Sequence, residues 1–541
     1  MAVRHPREKN GIYCGNLTDN SIDAILRVRD MEILPNFEQT IFNFPEDLII
    51  TALQSGMGVR EYIKANNIDY TQYRAYLRDY QTVGVGFLYL SPRSIIGDGV
   101  GRGKTVEISA LLNVLKGKQQ MTRFIMAVEK SAQPQTFIEL LQKTGLTVMN
   151  LPPEKNKMEK MLYGLDWERI DGLVVTHGAL SSNTFLSWLA EHKASDYPGV
   201  VHNELFDTFI LDESSVIKNH KSKVYENTRE ICKMMKRIHF MNATVFETSI
   251  MDIYNQIDML DASILPSRSR ISDTYCVHER KPFWVRGAGG KAEERFKFDL
   301  VGYKNQDQFK NKLKLYYFAR HFEDETHKYH VVEVNATDEQ LLAIKKGESY
   351  QAVINCPNLI VDEKYKIPFD RDHVPKLNAT LNLCEKHRDK KIMIYCFYRE
   401  AQSVIKEAVE KLGLKAEILN GDISKTEERQ SMINRFNLGE TQVIITNVKK
   451  SLNLYKGEIC IIMTLESNPA KLEQIRGRID RHVDDTVKTY YMILAKGTPE
   501  YRLYMKKLRP RQESAKELTT NARSAVDYFV DGEVIQDFLE E

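Results

Sequence analysis

The sequence predicts an α/β protein with two parallel-sheet domains in tandem. Three observations carry that reading. Between about Leu77 and Leu260, short apolar runs alternate with longer amphipathic ones. The same rhythm returns from Ile392 to Met463. In the first half a glycine-rich stretch, Gly97–Thr105, stands between a strand candidate and a helix candidate. Strands that alternate with helices pair in parallel, because each crossover has to carry the chain back along the sheet.

The expected strands of the first domain are Ser94–Gly97, Phe124–Val128, Leu173–Thr176, Phe209–Leu211 and His239–Asn242. Each is short and mostly apolar, as suits a strand covered on both faces. Thr105–Lys116 and Gln135–Lys143 are expected helices between them. In the second domain Ile392–Cys396, Ala416–Leu419, Val443–Thr446 and Ile459–Met463 repeat the strand pattern. Three regions stand outside it. Residues 1–70 carry 7 basic and 10 acidic side chains, a balance of −3. Residues 262–320 carry 13 basic and 6 acidic ones, a balance of +7. Residues 501–541 read as a charged helical tail. The expected organisation is an N-terminal accessory region (1–70), a first α/β domain (71–261), a basic connector (262–330), a second α/β domain (331–500) and the tail (501–541).

Composition bounds the rest. A chain of 541 residues has room for several domains, and with 42% apolar residues it is neither wholly disordered nor collagen-like. Lys and Arg number 76 against 74 Asp and Glu. Alone, that balance argues against a nucleic-acid partner, but it conceals the two local imbalances. Seven scattered cysteines with no CxxC pair argue against a zinc site or disulfide framework and for a reducing compartment. The first residues lack the apolar stretch of a signal peptide, and no stretch approaches the length of a membrane span. A cytoplasmic protein with no membrane partner is expected.

The strongest local signal is GDGVGRGKT, Gly97–Thr105. Gly99, Gly101 and Gly103 let backbone N–H groups close around phosphate oxygens at a helix N-terminus. Lys104 would reach the β- and γ-phosphates of a nucleotide, and the Thr105 hydroxyl would hold Mg²⁺. Asp98 takes the place of the first glycine of the GxxxxGK[ST] pattern. A plain flexible turn is the structural alternative. An acidic pair supplies the partner: the apolar run Phe209–Leu211 ends in Asp212 and Glu213. Asp212 at a strand end can position Mg²⁺, and Glu213 can polarise an attacking water.

With these residues in view, the chain resembles superfamily 2 helicases, and within them the SWI/SNF-type DNA translocases, over about 430 residues from Leu77 to Thr498. LRDYQTVGVGFL is similar to that family's opening segment, which implies that Gln81 reads the adenine edge. GDGVGRGKT resembles the family's DEMGLGKT, which likewise has aspartate in the first-glycine position. VVTHGAL (Val174–Leu180) and DESSVIKNHKSK (Asp212–Lys223) resemble two further motifs, with Thr176 and Lys218 as nucleic-acid candidates. NATV, Asn242–Val245, only loosely keeps the next motif; Thr244 holds the hydroxyl position, which implies a coupling role. VIITNVKKSLNL, Val443–Leu454, matches the family at Thr446 and Leu452–Leu454. Lys449 and Lys450 replace its glycine-rich stretch, where ammonium groups suit a phosphate backbone. LESNPAKLEQIRGRIDRH resembles the family's last strong motif through Gln474, Gly477, Arg478 and Arg481. The spacing of Arg478 and Arg481 would put both on one helix face, and the resemblance makes them arginine fingers. It implies two tandem RecA-like P-loop domains with an ATP cleft between them, ATP and Mg²⁺ as ligands, and double-stranded DNA gripped without sequence preference.

The basic connector adds RGAGGK, Arg286–Lys291, between two aromatic strand candidates. It reads as a hairpin tip. Such a tip could wedge or track a duplex; equally, the hairpin could pack its aromatics on the first domain. SDTYC and the following VGYKNQDQFKNKLKLYYFAR resemble the connector of annealing-helicase-type translocases through Tyr275, Cys276, Gly302 and Arg320. The expected function is an ATP-driven motor on duplex DNA. Alternatives are a strand-separating helicase, the ATPase subunit of a repair or restriction complex, and a nucleotide-gated scaffold with weak hydrolysis. Residues 1–70 would either recruit a protein partner or brace the first domain.

Overall fold

A computed structural model of the chain describes residues 19–30, 37, 40–99, 101–197, 200–242, 250–286, 292–320, 327–356, 367–423, 426–448, 452–466, 469–479, 486–508 and 533–536. Two compact units divide along the chain after Arg320.

The first unit is built on a seven-stranded sheet. Its strands are β1 (Arg93–Ile96), β2 (Phe124–Val128), β3 (Val148–Asn150), β4 (Gly172–Thr176), β5 (Thr208–Leu211) and β6 (Arg237–Met241). A hairpin follows, β7 (Cys276–Arg286) and β8 (Ala292–Tyr303), and then the last sheet strand, β9 (Tyr317–Phe318). The sheet order is β9-β1-β6-β5-β2-β4-β3, with every pair parallel. All four or five residues of β1, β2, β4 and β5 are buried, as continuous apolar strands between two helical layers must be. The five predicted strands are present within about a residue at each end. The helix expected at Gln135–Lys143 begins earlier, at Gln133, because a proline in the first turn gives up no helical hydrogen bond.

The second unit carries its own seven-stranded parallel sheet. Its strands are β10 (Lys328–Asn335), β11 (Ile392–Tyr395), β12 (Ala416–Leu419), β13 (Val443–Thr446), β14 (Ile459–Ile462), β15 (Thr489–Lys496) and β16 (Glu533–Gln536). Their order is β12-β13-β11-β14-β15-β10-β16. The tandem RecA-like α/β architecture is therefore present as two separate sheets. The tail is not helical throughout, as the sequence had implied. Glu533–Gln536 pairs in parallel with β10.

Two other regions resolve open readings. In the N-terminal region Ile25, Val28, Phe44, Ile49, Ala52, Val59 and Ile63 are buried in one cluster with Val83, Ile108 and Leu112. The described part of residues 1–70 is thus a brace for the first unit. Arg29 reinforces it by donating to the carbonyls of Lys314 (2.8 Å) and Tyr317 (2.7 Å). In the connector, β7 and β8 pair antiparallel from Cys276↔Tyr303 to Arg286↔Ala292, so the predicted hairpin forms. Its tip, including Lys291, lies outside the described residues. The six described cysteines are buried thiols. Among the described residues no helix is long and apolar enough to cross a membrane.

Candidate nucleotide site

Asp98 and Lys104, which bracket the glycine-rich loop, and the acidic pair follow the C-terminal ends of strands close together in the first sheet, since β1 and β5 run parallel and flank the same strand, β6. β1 ends at Ile96, and the chain turns into a helix, α2 (Lys104–Gly117), whose buried face carries Ile108, Leu111, Leu112 and Leu115. Gly101 and Gly103 both have φ of +81°. A residue with a Cβ pays about 1–2 kcal/mol in that region. The left-handed turn at Gly103 opens α2 with N–H groups that lack intrahelical partners, at the positive end of its dipole. Lys104 sits in the first turn and donates to the carbonyl of Asp98 at 2.7 Å.

A second helix, Asp79–Leu90, places Gln81 against this loop. The Gln81 Oε1 accepts from the Arg78 N–H at 3.1 Å, which fixes the amide. Its Nε2 lies so near Gly103 that a Cβ there would collide with it. Glycine at 103 is therefore required twice, by φ and by space.

Asp212 and Glu213 follow the buried strand β5. The Asp212 N–H donates to the Ala127 carbonyl at 2.9 Å, and its Oδ1 accepts from the Glu213 N–H at 2.9 Å. Glu213 has φ of +50°, a conformation that side-chain-bearing residues adopt mainly where surrounding structure imposes it. His177, one residue past β4, donates from Nε2 to the Asp212 carbonyl at 2.9 Å. Sequence reading named Thr176 and passed over its neighbour.

Arg320 also escaped as a site residue. Its N–H donates to Asp98 Oδ1 and its Nε to Asp98 Oδ2, each at 2.8 Å. Its Nη2 also bonds Asp98 and reaches Glu107 Oε1 at 2.5 Å, while Nη1 donates to the Tyr80 carbonyl. Asp98 and Glu107 are fully buried. Burial pushes the Glu107 carboxyl up to about 8; Arg320 pulls against that shift and Asp98 adds to it. Arg320 is delivered by β9, which lies along β1: the Gly97 N–H donates to the Phe318 carbonyl at 2.7 Å. A Cβ on Gly97 would meet the Tyr317 ring at 2.5 Å. Asp98, in place of the usual glycine, thus anchors the end of the first unit. The available signal was an aspartate where a glycine belongs, but no local pattern pairs it with a residue so distant.

These groups fit a nucleoside triphosphate. A glycine-lined turn, the positive end of a helix and an ammonium suit phosphate oxygens. Thr105 and Asp212 would hold Mg²⁺. Among the described residues no group of three or more His, Cys, Asp or Glu forms a metal cage.

In the second unit the arrangement differs from expectation. The helix Pro469–Arg476 ends before Arg478, so Arg478 lies beyond the helix face on which the sequence reading set it. Gly477 stops the helix, because glycine has the most conformational freedom to lose; the Arg478 N–H bonds the Ile475 carbonyl in a tighter turn, at 3.1 Å. The Arg478 guanidinium is buried, donating to the carbonyls of Gln474 (2.8 Å) and Leu452 (3.2 Å). Thr176 and Thr446 are buried too. Thr176 Oγ1 accepts from the Ala179 N–H at 3.2 Å as a helix cap. Thr446 Oγ1 donates to the Leu419 carbonyl at 2.6 Å. The Thr446 hydroxyl proton is thus given to the fold, while the Thr176 oxygen serves as the cap's acceptor. Lys218 is exposed, its carbonyl held by Asn255 Nδ2 at 2.7 Å. Thr244, Lys449, Lys450 and Arg481 lie outside the described residues, and Arg286 is described by its backbone alone.

Residues 375–483 match the helicase conserved C-terminal domain family. The chain is 23% identical over 444 residues to the uncharacterized ATP-dependent helicase YqhH of Bacillus subtilis, covering 76% of this chain and 73% of that one. It is 21% identical over 316 residues to the SWI/SNF-related matrix-associated actin-dependent regulator of chromatin subfamily A-like protein 1 of Xenopus tropicalis, covering 55% and 32%. Against the RNA polymerase-associated protein RapA of Haemophilus influenzae it is 20% identical over 439 residues, covering 76% and 44%. The chain thus spans less than half of the latter two proteins. Among solved structures, the SWI2/SNF2 ATPase core of Sulfolobus solfataricus in complex with dsDNA is 18% identical, covering 84% and 94%, with a TM-score of 0.38.

Proposed function

Because this chain belongs to the superfamily 2 helicases of the SWI/SNF type, we propose that it is an ATP-driven motor that moves along double-stranded DNA or remodels DNA and protein–DNA complexes. The observation that carries the reading is the shared placement of the Gln81–Gly103 contact, Lys104 and the Asp212–Glu213 pair at the C-terminal ends of parallel strands. Adenine would lie against the Gln81 amide, and the loop N–H groups and Lys104 would take the phosphates. Mg²⁺, held by Thr105 and Asp212, would neutralise phosphate charge. Glu213 would accept the proton of the attacking water.

Gln474, Arg478 and Arg481 of the second domain are the proposed complement to this half-site. For Arg478 that role requires release from the carbonyls of Gln474 and Leu452. Domain closure on ATP and opening after hydrolysis would step the protein along a strand, with Thr244 in the coupling segment. Lys218, Lys449, Lys450, Arg286 and Lys291 are the proposed phosphate contacts, giving salt-sensitive and sequence-tolerant binding.

The test is ATP hydrolysis measured without nucleic acid and with single-stranded DNA, duplex DNA or RNA. Stimulation by duplex DNA is expected. No stimulation by duplex at any ionic strength overturns the motor. Triplex displacement then distinguishes translocation from strand separation.

A further inference from the structure

The hairpin β7–β8 has a face that neither composition nor the nucleotide site explains. Opposite residues of an antiparallel pair project to the same side. The register sets His278 against Leu300, Arg280 against Phe298 and Pro282 against Phe296. One face therefore carries Leu300, Phe298 and Phe296 in a row, flanked by His278, Arg280 and Pro282. Phe298 is 67% exposed, Phe296 43% and Leu300 36%. The two strands form a sheet of their own, and Phe298 and Phe296 keep much of their surface in solvent. A two-stranded ribbon in water is marginal, and its solvated faces are ordinarily polar. Exposed rings in register call for an occupant.

The chemistry selects one. The Arg280 guanidinium lies over the Phe296 ring at 3.5 Å from its centroid, a planar cation–π stack that another planar group can extend. Phe298, more exposed than Phe296, offers its ring to a planar base. The surrounding segment, residues 262–320, carries a balance of +7 (13 basic less 6 acidic), which favours a polyanion. Glu294 is exposed on the same face nearer the tip and places the binding surface toward the base of the ribbon. An intact duplex hides its base faces in its stack, so its phosphates alone would leave the rings uncovered.

We propose that this face of the hairpin binds the unpaired bases of a single DNA strand, so that the protein engages DNA where a duplex is open. The inference rests on the reading of the chain as a DNA motor, and its test is independent of hydrolysis. Fluorescence anisotropy of the full chain without nucleotide would measure affinity for labelled oligothymidylate and for a blunt duplex of equal length. Phe296→Ala/Phe298→Ala is expected to weaken oligothymidylate binding by at least about tenfold while changing duplex binding by less than about twofold. Arg280→Lys, which keeps charge but loses the planar stack, should weaken the single strand alone. Both substitutions sit on exposed positions, and an unshifted thermal melt certifies the fold. Unchanged oligothymidylate affinity overturns the proposal and leaves the face to a protein contact; equal losses on both DNAs overturn it as well. A parent protein whose ATPase ignores duplex DNA defeats the motor reading, whereas the binding comparison still decides the hairpin.

Discussion

Arg320 and Asp98, 222 residues apart in sequence, meet through two parallel contacts of 2.8 Å, from backbone N–H to Oδ1 and from Nε to Oδ2. The aspartate occupies the position where a general P-loop has its first glycine, and the arginine is the last residue of the first unit. The phosphate loop and the end of the connector are one buried electrostatic unit, completed by Glu107.

Removing the cation should therefore be costly. Arg320→Ala leaves two buried carboxyl groups without their partner, and breaking a buried pair from one side typically costs about 3–5 kcal/mol. Arg320→Lys should recover only part of that, because an ammonium cannot make the two-pronged contact with Asp98 and still reach Glu107. Urea denaturation followed by circular dichroism measures both. A midpoint for Arg320→Ala equal to the parent's would show that the network contributes no stability.

The proton on Glu107 gives a second prediction. Its carboxyl is raised from an ordinary 4.5 to about 8, first by burial and then by Asp98, with Arg320 and Lys104 opposing. One guanidinium between two buried carboxyls explains the direction: protonating Glu107 leaves Arg320 and Asp98 balanced. Between pH 4.5 and about 8 the folded state holds a proton that the unfolded state has lost, so the group's contribution to stability is complete below 4.5 and disappears as pH rises through 8. Glu107→Gln mimics the protonated acid and has no such dependence. The stability of the parent minus that of the variant should decline from pH 5 to 8 and then level, as read from melting at a series of pH values. A flat difference across that range would place the proton elsewhere.

What the sequence made legible follows from which forces are local. β2, β12 and β13 occur as the residue ranges expected, because a continuous apolar run between turns has few alternatives. β9, with two residues, is too short for any periodicity, and β16 stands in a charged stretch that reads as helix; each exists because a sheet edge was available to it. The proposed nucleotide residues Gly103, Lys104 and Thr105 stand out through spacing, since they share one turn. Arg320 and His177 were not, because their partners are supplied by topology. Thr176, Thr446 and Arg478 carry commitments that motif position does not reveal, because buried hydroxyl and guanidinium groups must first satisfy hydrogen bonds of the fold.

Gly103→Ala should abolish nucleotide binding while leaving most of the fold. The added methyl meets both the positive φ and the Gln81 amide, so either the loop or Gln81 must move. Equilibrium binding of a fluorescent ATP analogue is expected to weaken by more than about tenfold, since strain of 1–3 kcal/mol would be placed on the loop that cradles the phosphates. Binding equal to the parent's would mean that this turn does not receive the nucleotide.

Thr176→Ala separates a cap from a phosphate contact. As the cap for Ala179 it should cost about 1 kcal/mol of stability. DNA affinity should keep the same dependence on salt, because no phosphate contact is removed. If the logarithmic salt slope instead falls by about one with stability unchanged, the threonine touches DNA directly.

Glu213→Gln tests the chemistry most directly. Glutamine is isosteric and can hold the same φ of +50°, and the backbone N–H that bonds Asp212 Oδ1 is untouched. The substitution therefore removes a proton acceptor while leaving the strand end in place. General-base catalysis contributes about 10²–10⁴-fold, so hydrolysis in the presence of duplex DNA should fall within that range. Nucleotide affinity should stay near the parent's, since the phosphates are held by the loop and Lys104. Loss of affinity together with rate would assign Glu213 to binding, and an unchanged rate would move the proton acceptor to another residue.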